Sequence, residues 1–153
     1  MGFVLSDEAR EYFRELEKYS SMGGLDSVWD QYYLCLMVGL ENRKLSSEEP
    51  SGEEFIDKFI DDYYEQRYEI LGSLITAEIE RKGIPWGEKE RIRKEMLTLL
   101  DSSTSHNLTE TGQEMMNRYA QGGFQILREN IPGVIDYGLD KFLTKYYDEF
   151  ISE

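Results

Sequence analysis

Residues 28–40 read Val-Trp-Asp-Gln-Tyr-Tyr-Leu-Cys-Leu-Met-Val-Gly-Leu. Wound as a helix, this run carries Val28, Trp29, Tyr32, Tyr33, Leu34, Leu36, Met37, Val38 and Leu40 almost all the way round. A helix with so little polar face belongs at the centre of a core or in an interface between chains. The run is too short to cross a membrane, which takes roughly 20 apolar residues. The other elements must therefore pack around it. A chain of 153 residues is long enough to build such a core without disulfides or metal ions.

The flanking segments carry the 3.6-residue period of amphipathic helices. Ser6 is placed to cap a first helix to about Tyr19, with Ala9, Tyr12, Phe13 and Leu16 on one stripe. Met22-Gly23-Gly24 ends it, and Asp26 or Ser27 caps the apolar helix. Ser51 and Glu54 have capping-box spacing, which predicts a long third helix reaching Lys82, with Gly72 as a place for a bend and Gly83-Ile84-Pro85 as a stop. Further helices are expected over 88–100, over 110–130 behind the cap Thr109, and over 134–151. Gly122-Gly123 falls inside the fifth and marks either a break or a close backbone contact. No segment shows sustained period-two alternation, so no strand is expected. The expectation is an all-α fold: one domain over 1–153, a bundle of five to seven helices. Tyrosine pairs at 32–33, 63–64 and 146–147 each predict one ring in the core and one at its edge.

Chemistry-bearing residues are sparse. Cys35 is the only cysteine; it lies in the apolar run, reads as a buried hydrophobe and fits a reducing cytoplasm. His106 is the only histidine, expected in an exposed polar loop, which excludes a di-iron bundle with its two Glu-x-x-His elements. No phosphate-gripping Gly-x-x-x-x-Gly-Lys loop and no Gly-x-Ser-x-Gly elbow occur. The Arg-x-x-x-x-His element of the helical HEPN ribonucleases is missing too, because Asp101 stands five before His106. The expectation is a protein without catalytic residues, metal or cofactor. The competing enzyme reading places Asp57, Asp61 and Glu65 on one helix face to hold a metal or substrate.

Charge is more informative. There are 31 acids against 17 Lys+Arg, a formal net charge of -14, which argues against a general nucleic-acid coat. The distribution is uneven. Residues 48–69 hold nine acids against Lys58 and Arg67, whereas residues 81–94 form a basic elbow, with Arg81, Lys82, Lys89, Arg91, Arg93 and Lys94 against Glu88 and Glu90. Together with Trp86, those six cations are the candidate contact with phosphate or an acidic partner. Trp29, Tyr33, Met37, Gly122, Gly123 and Phe124 are the candidate interface with a partner or a second copy.

The first forty residues add a resemblance. Val4-Leu5-Ser6-Asp7-Glu8-Ala9-Arg10, then Leu16, the Gly23-Gly24-Leu25 link, Trp29 and Leu34-Cys35-Leu36-Met37-Val38-Gly39-Leu40 resemble the N-terminal half of the small E subunit of the DNA phosphorothioation (Dnd) system. The resemblance implies an all-helical, oligomeric protein associated with nicked DNA, acting in DNA modification or phage defence. The family carries an arginine where this chain has Tyr32-Tyr33, and its DNA-facing lysines have no counterpart here. The expectation is thus a non-catalytic accessory subunit acting by protein–protein contact. A larger subunit and a second copy are the expected partners, with DNA reached indirectly and no membrane. The alternatives are direct DNA binding by the elbow 81–94 and an acidic DNA mimic. Residues 117–124, Asn-Arg-Tyr-Ala-Gln-Gly-Gly-Phe, read as a signature without an assigned role.

Overall fold

The apolar helix is the axis of the molecule. A computed structural model describes residues 2–18, 25, 27–132 and 139–152. Along them run β1 (Phe3–Val4), α1 (Asp7–Lys18), α2 (Val28–Glu41), β2 (Glu54–Ile56), α3 (Asp61–Tyr64), α4 (Arg67–Lys82), α5 (Lys89–Leu99), α6 (Glu110–Asn130) and α7 (Leu139–Tyr146), with a π-helical turn at Tyr147–Ile151. The class is all-α, as the periodicity predicts.

α2 lies along α6, the most extensive pairing in the fold. The approach is so close that two glycines meet across it. A Cβ on Gly123 would overlap the Cys35 carbonyl oxygen and stand 2.6 Å from the Gly39 nitrogen, and one on Gly39 would overlap the Tyr119 carbonyl oxygen. Gly122 passes the Lys44 carbonyl equally closely. The glycine pair is thus a point of backbone contact, and α6 runs through it unbroken.

Aromatic rings fill the end of the core nearest β1. Phe3 meets Trp29, Tyr32 and Phe59 edge-on at centroid distances of 4.7, 5.4 and 5.3 Å, while Trp29 stacks on Phe59 and Tyr63, each at 5.2 Å. Such pairs contribute beyond the area they bury. In each tyrosine pair the first ring is buried (Tyr32, Tyr63, Tyr146); Tyr33 sits at the core's edge, and Tyr64 and Tyr147 are exposed.

Side-chain caps begin α1, α2 and α6, whereas α3, α4 and α5 start without one. The Ala9 amide donates to Ser6 Oγ (3.1 Å), and the Gly112 amide to Thr109 Oγ1 (3.0 Å). Ser27 and Asp30 form a reciprocal capping box at the head of α2. Gly83, at φ +67°, closes α4 in the left-handed region favoured by glycine. Asp26, Met22-Gly23-Gly24 and the start of the last helix at 134 lie outside the described residues.

Two expectations fail together. The third helix does not begin near Ser51, and a strand exists where none was expected. β2 pairs antiparallel with β1, with Phe3 opposite Ile56. Long-range donors claim the carbonyls that a helix would need: Arg10 Nη2 binds that of Glu53 (3.1 Å), Ser105 Oγ that of Asp57 (2.7 Å) and Trp29 Nε1 that of Lys58 (3.2 Å). Local capping-box spacing loses to these partners. Gly72 puts no break into α4.

Candidate functional site

The 117–124 signature works inside the protein. Asn117 Oδ1 accepts from the Val4 amide (3.0 Å), Tyr32 Oη (2.9 Å) and Gln113 Nε2 (3.3 Å), while its Nδ2 donates to the Gly2 carbonyl (3.1 Å). One buried amide thereby fastens β1 to α2 and α6. Arg118 Nε reaches the Ser46 carbonyl (2.7 Å) and holds the loop after α2. Tyr119 Oη donates to Glu78 Oε2 (2.7 Å), and Phe124 packs edge-on to Tyr12 at 5.6 Å. Four candidate interface residues are therefore internal: Trp29 and Phe124 are buried, and Gly122 and Gly123 face backbone of the same chain. They meet no partner unless the fold opens. The sequence pattern is the same for a helix centre and an oligomer interface, which is why the two readings merged.

The basic elbow is less basic in space than in sequence. Widening the window to 78–95 adds Glu78, Glu80 and Glu95 and reduces the balance from +4 to +1. Glu78, only 1% exposed, takes Arg81 Nε and Nη2 at 2.6 and 3.0 Å. Burial works to raise the Glu78 pKa, but the hydrogen bonds from Arg81 and Tyr119 outweigh it, and the carboxyl is held below its usual range. Lys82 Nζ binds the buried Glu95 (2.8 Å), and Arg91 binds Glu88 (2.8 Å). Half of the predicted contact cations are thus engaged within the protein: Lys82 ties α4 to α5, Arg81 holds the Glu78 carboxylate that Tyr119 of α6 also binds, and Arg91 pairs with Glu88 three residues before it. Among the described residues Lys89, Arg93 and Lys94 make no ion pair, and Trp86, in the turn that precedes α5, is 57% exposed.

The remaining interface candidates, Tyr33 and Met37, lie on the outer face of α2. A cavity of about 440 Å³ opens there between α2 and the C-terminal segment, lined by Tyr33, Leu34, Met37, Val38, Tyr146, Phe150 and Ile151, with Glu41 and Glu149 among its polar residues. A second cavity, of about 430 Å³, adjoins it towards α4 and shares Met37 and Glu41. Its other lining includes Glu69, Gly72, Ser73 and Thr76. A Cβ on Gly72 would meet nothing within 4 Å, so this missing side chain keeps the second cavity open. Arg43 lies here too, held by Glu80 and by the Leu40 carbonyl. The surface is apolar below and acidic at the margin. A sequence pass sees only that Met37 is apolar; that α6 covers one side of α2 and leaves this one uncovered is a product of packing.

The enzyme alternative loses its geometry. Asp57 sits in the turn after β2 and Asp61 opens the four-residue α3, so Asp57, Asp61 and Glu65 do not share a helix face. No group of three or more His, Cys, Asp or Glu able to hold a metal occurs among the described residues. His106, expected to be exposed, is buried: the polar loop folds back, the Leu108 amide donates to His106 Nδ1 (3.2 Å), and Phe3 packs edge-on to the ring at 5.8 Å. Ser105 Oγ donates to the Asp57 carbonyl (2.7 Å). Cys35 is fully buried, which pushes its thiol well above the usual range. No described helix is long and apolar enough to cross a membrane. Compared with protein-family models, curated proteins and solved structures, the chain matches none.

Proposed function

We propose that this protein is a non-catalytic helical accessory subunit that works by contact with a larger protein subunit, and that the outer face of α2 is the contact. The observation that supports the reading is the pair of adjoining cavities there, about 440 and 430 Å³, the first lined mainly by apolar side chains and the second by Met37 and Leu40 among polar ones. Uncovered concave apolar surface of this kind is where partners bind. A prokaryotic DNA-modification or phage-defence complex is the proposed setting; it rests on the resemblance of residues 4–40 to the Dnd E subunit. Pairing of this acidic face with its own copy is opposed by a charge of -14 on each chain.

The test is co-elution at fixed stoichiometry. The tagged protein, purified from the cells that make it, is expected to elute with one larger polypeptide, and Met37→Glu to elute alone while keeping its far-ultraviolet circular dichroism. A wild-type monomer without a companion, or turnover of a metabolite abolished by one side-chain change, overturns the proposal.

A second reading has its own support. Lys89, Arg93 and Lys94 are exposed, as is Trp86 in the turn before α5, and cations with an aromatic ring in one segment suit a phosphate backbone with a base. Direct DNA binding by the elbow predicts an affinity that falls as salt rises and is lost in Arg93→Glu plus Lys94→Glu. Gel-shift titrations at low salt that show no complex dismiss it.

A further inference from the structure

We infer that the outer face of α2 takes a basic amphipathic helix from its partner, a proposal that deepens the accessory-subunit reading and rests on it. Shape and charge both select such a helix. The first cavity runs along α2 from Tyr33 to Glu41, eight helical rises and thus about 12 Å of helix axis, enough for about two turns of a docked helix. Its floor of Leu34, Met37 and Phe150 offers sockets for side chains at i, i+3, i+4 and i+7 of that helix. Met37 lines both cavities, and its unbranched thioether side chain adapts to what lies against it.

The rim fixes the sign of the partner. Glu41, Glu69 and Glu149 are exposed around the two cavities, and the one cation among the lining residues, Arg43, is already held by Glu80. An acidic or neutral helix would bring no countercharge to these carboxylates. A helix with Lys or Arg flanking its apolar stripe meets them on both sides, which speeds encounter and fixes register. Gly72 gives the long side chain of such a cation, or the partner's backbone, room to reach Glu69.

The experiment uses the full chain and three dye-labelled synthetic peptides of equal length, read by fluorescence anisotropy. One peptide has leucine at helical spacing with lysine flanks, one has the same composition scrambled, and one has glutamate in place of lysine. The expected result is saturable binding of the first peptide, at least tenfold tighter than the scrambled one, and no binding of the acidic one. Glu41→Lys with Glu149→Lys, both on exposed side chains, is expected to weaken the first peptide at least tenfold. Gly72→Phe is expected to weaken it at least fivefold without lowering the melting temperature, because that position is open. Equal binding of the three peptides, no binding of the lysine peptide, or indifference to both variants overturns the inference. Co-elution of the native partner with those variants, though not with Met37→Glu, would keep the accessory-subunit reading and reject the basic helix. Dimer formation by the chain alone, blocked by Met37→Glu, would make a second copy the occupant and also overturn it.

Discussion

The α2–α6 seam and the α4–α5 elbow each hold two helices together, and they do so by opposite means. The seam is glycine against carbonyl, with Gly39 and Gly123 so close that no Cβ fits between the helices. The elbow is charge against charge: Lys82 of α4 reaches the buried Glu95 of α5, while Arg81 holds the buried Glu78 within α4. A seam of backbone contact has no slack, because close-packed interiors transmit any added volume as strain. An elbow of partly exposed ion pairs has slack, because water and neighbouring groups replace what is lost.

The seam is the more sensitive of the two. Gly123→Ala is expected to destabilise the protein by about 3 kcal/mol or more, at or beyond the usual range for overpacking, since the new methyl meets backbone and not a movable side chain. Denaturant unfolding measures it. A loss under about 1 kcal/mol would mean that the helices part without difficulty and that the seam is not rigid.

Next comes the elbow's buried carboxylate. Glu78→Gln keeps the shape and removes the charge, and is expected to cost about 1–2 kcal/mol at neutral pH. The lower part of that range is favoured because Arg81 is 34% exposed. The sign with pH follows from the lowered pKa of Glu78. A carboxylate whose folded pKa is depressed contributes its stability above its unfolded pKa, and loses it as the pH falls through the folded value. The gap between wild type and Glu78→Gln should therefore be full at about pH 7 and shrink towards about pH 3. A gap that stays constant, or widens in acid, contradicts the ion-pair account.

How much of this was written in the sequence divides along the same line. The apolar circumference of α2 announced a central helix, and Ser6, Thr109 and Gly83 announced helix ends, because those signals are local. The strand pairing of Phe3 with Ile56 was illegible: its causes are Arg10, Trp29 and Ser105, each more than forty residues from the carbonyl it binds or, for Trp29, 29 residues away. The elbow was half legible. Six cations were visible, but Glu78 and Glu95 lie just outside the basic window, and only a helical turn carries them under it. The Gly122-Gly123 pair was visible as a feature, while the choice between docking a partner and docking α2 depends on where α6 lies.

Gly72 sharpens the contrast between glycines. It sits mid-helix with open space around it, whereas Gly123 has none. Gly72→Ala should therefore stabilise the fold by about 1 kcal/mol through helix propensity alone. A rise in the denaturant midpoint with an unchanged slope would show it; a fall would mean that α4 also packs closely at this position.

The smallest expected effect is at the outer elbow. Lys89→Gln, Arg93→Gln and Lys94→Gln together remove three cations that make no ion pair among the described residues, and the stability should move by no more than about 0.5 kcal/mol. The contrast with Lys82→Gln matters more than the value. Lys82 is the same residue type on the same elbow, but it spans to the buried Glu95 at 2.8 Å, and removing it leaves that carboxylate without its cation. Its loss should cost about 1 kcal/mol or more. If the triple variant proves the more damaging of the two, position relative to the buried acids is not what divides these cations. The reading of Lys89, Arg93 and Lys94 as a surface left over from folding, and so open to a partner, then loses its physical basis.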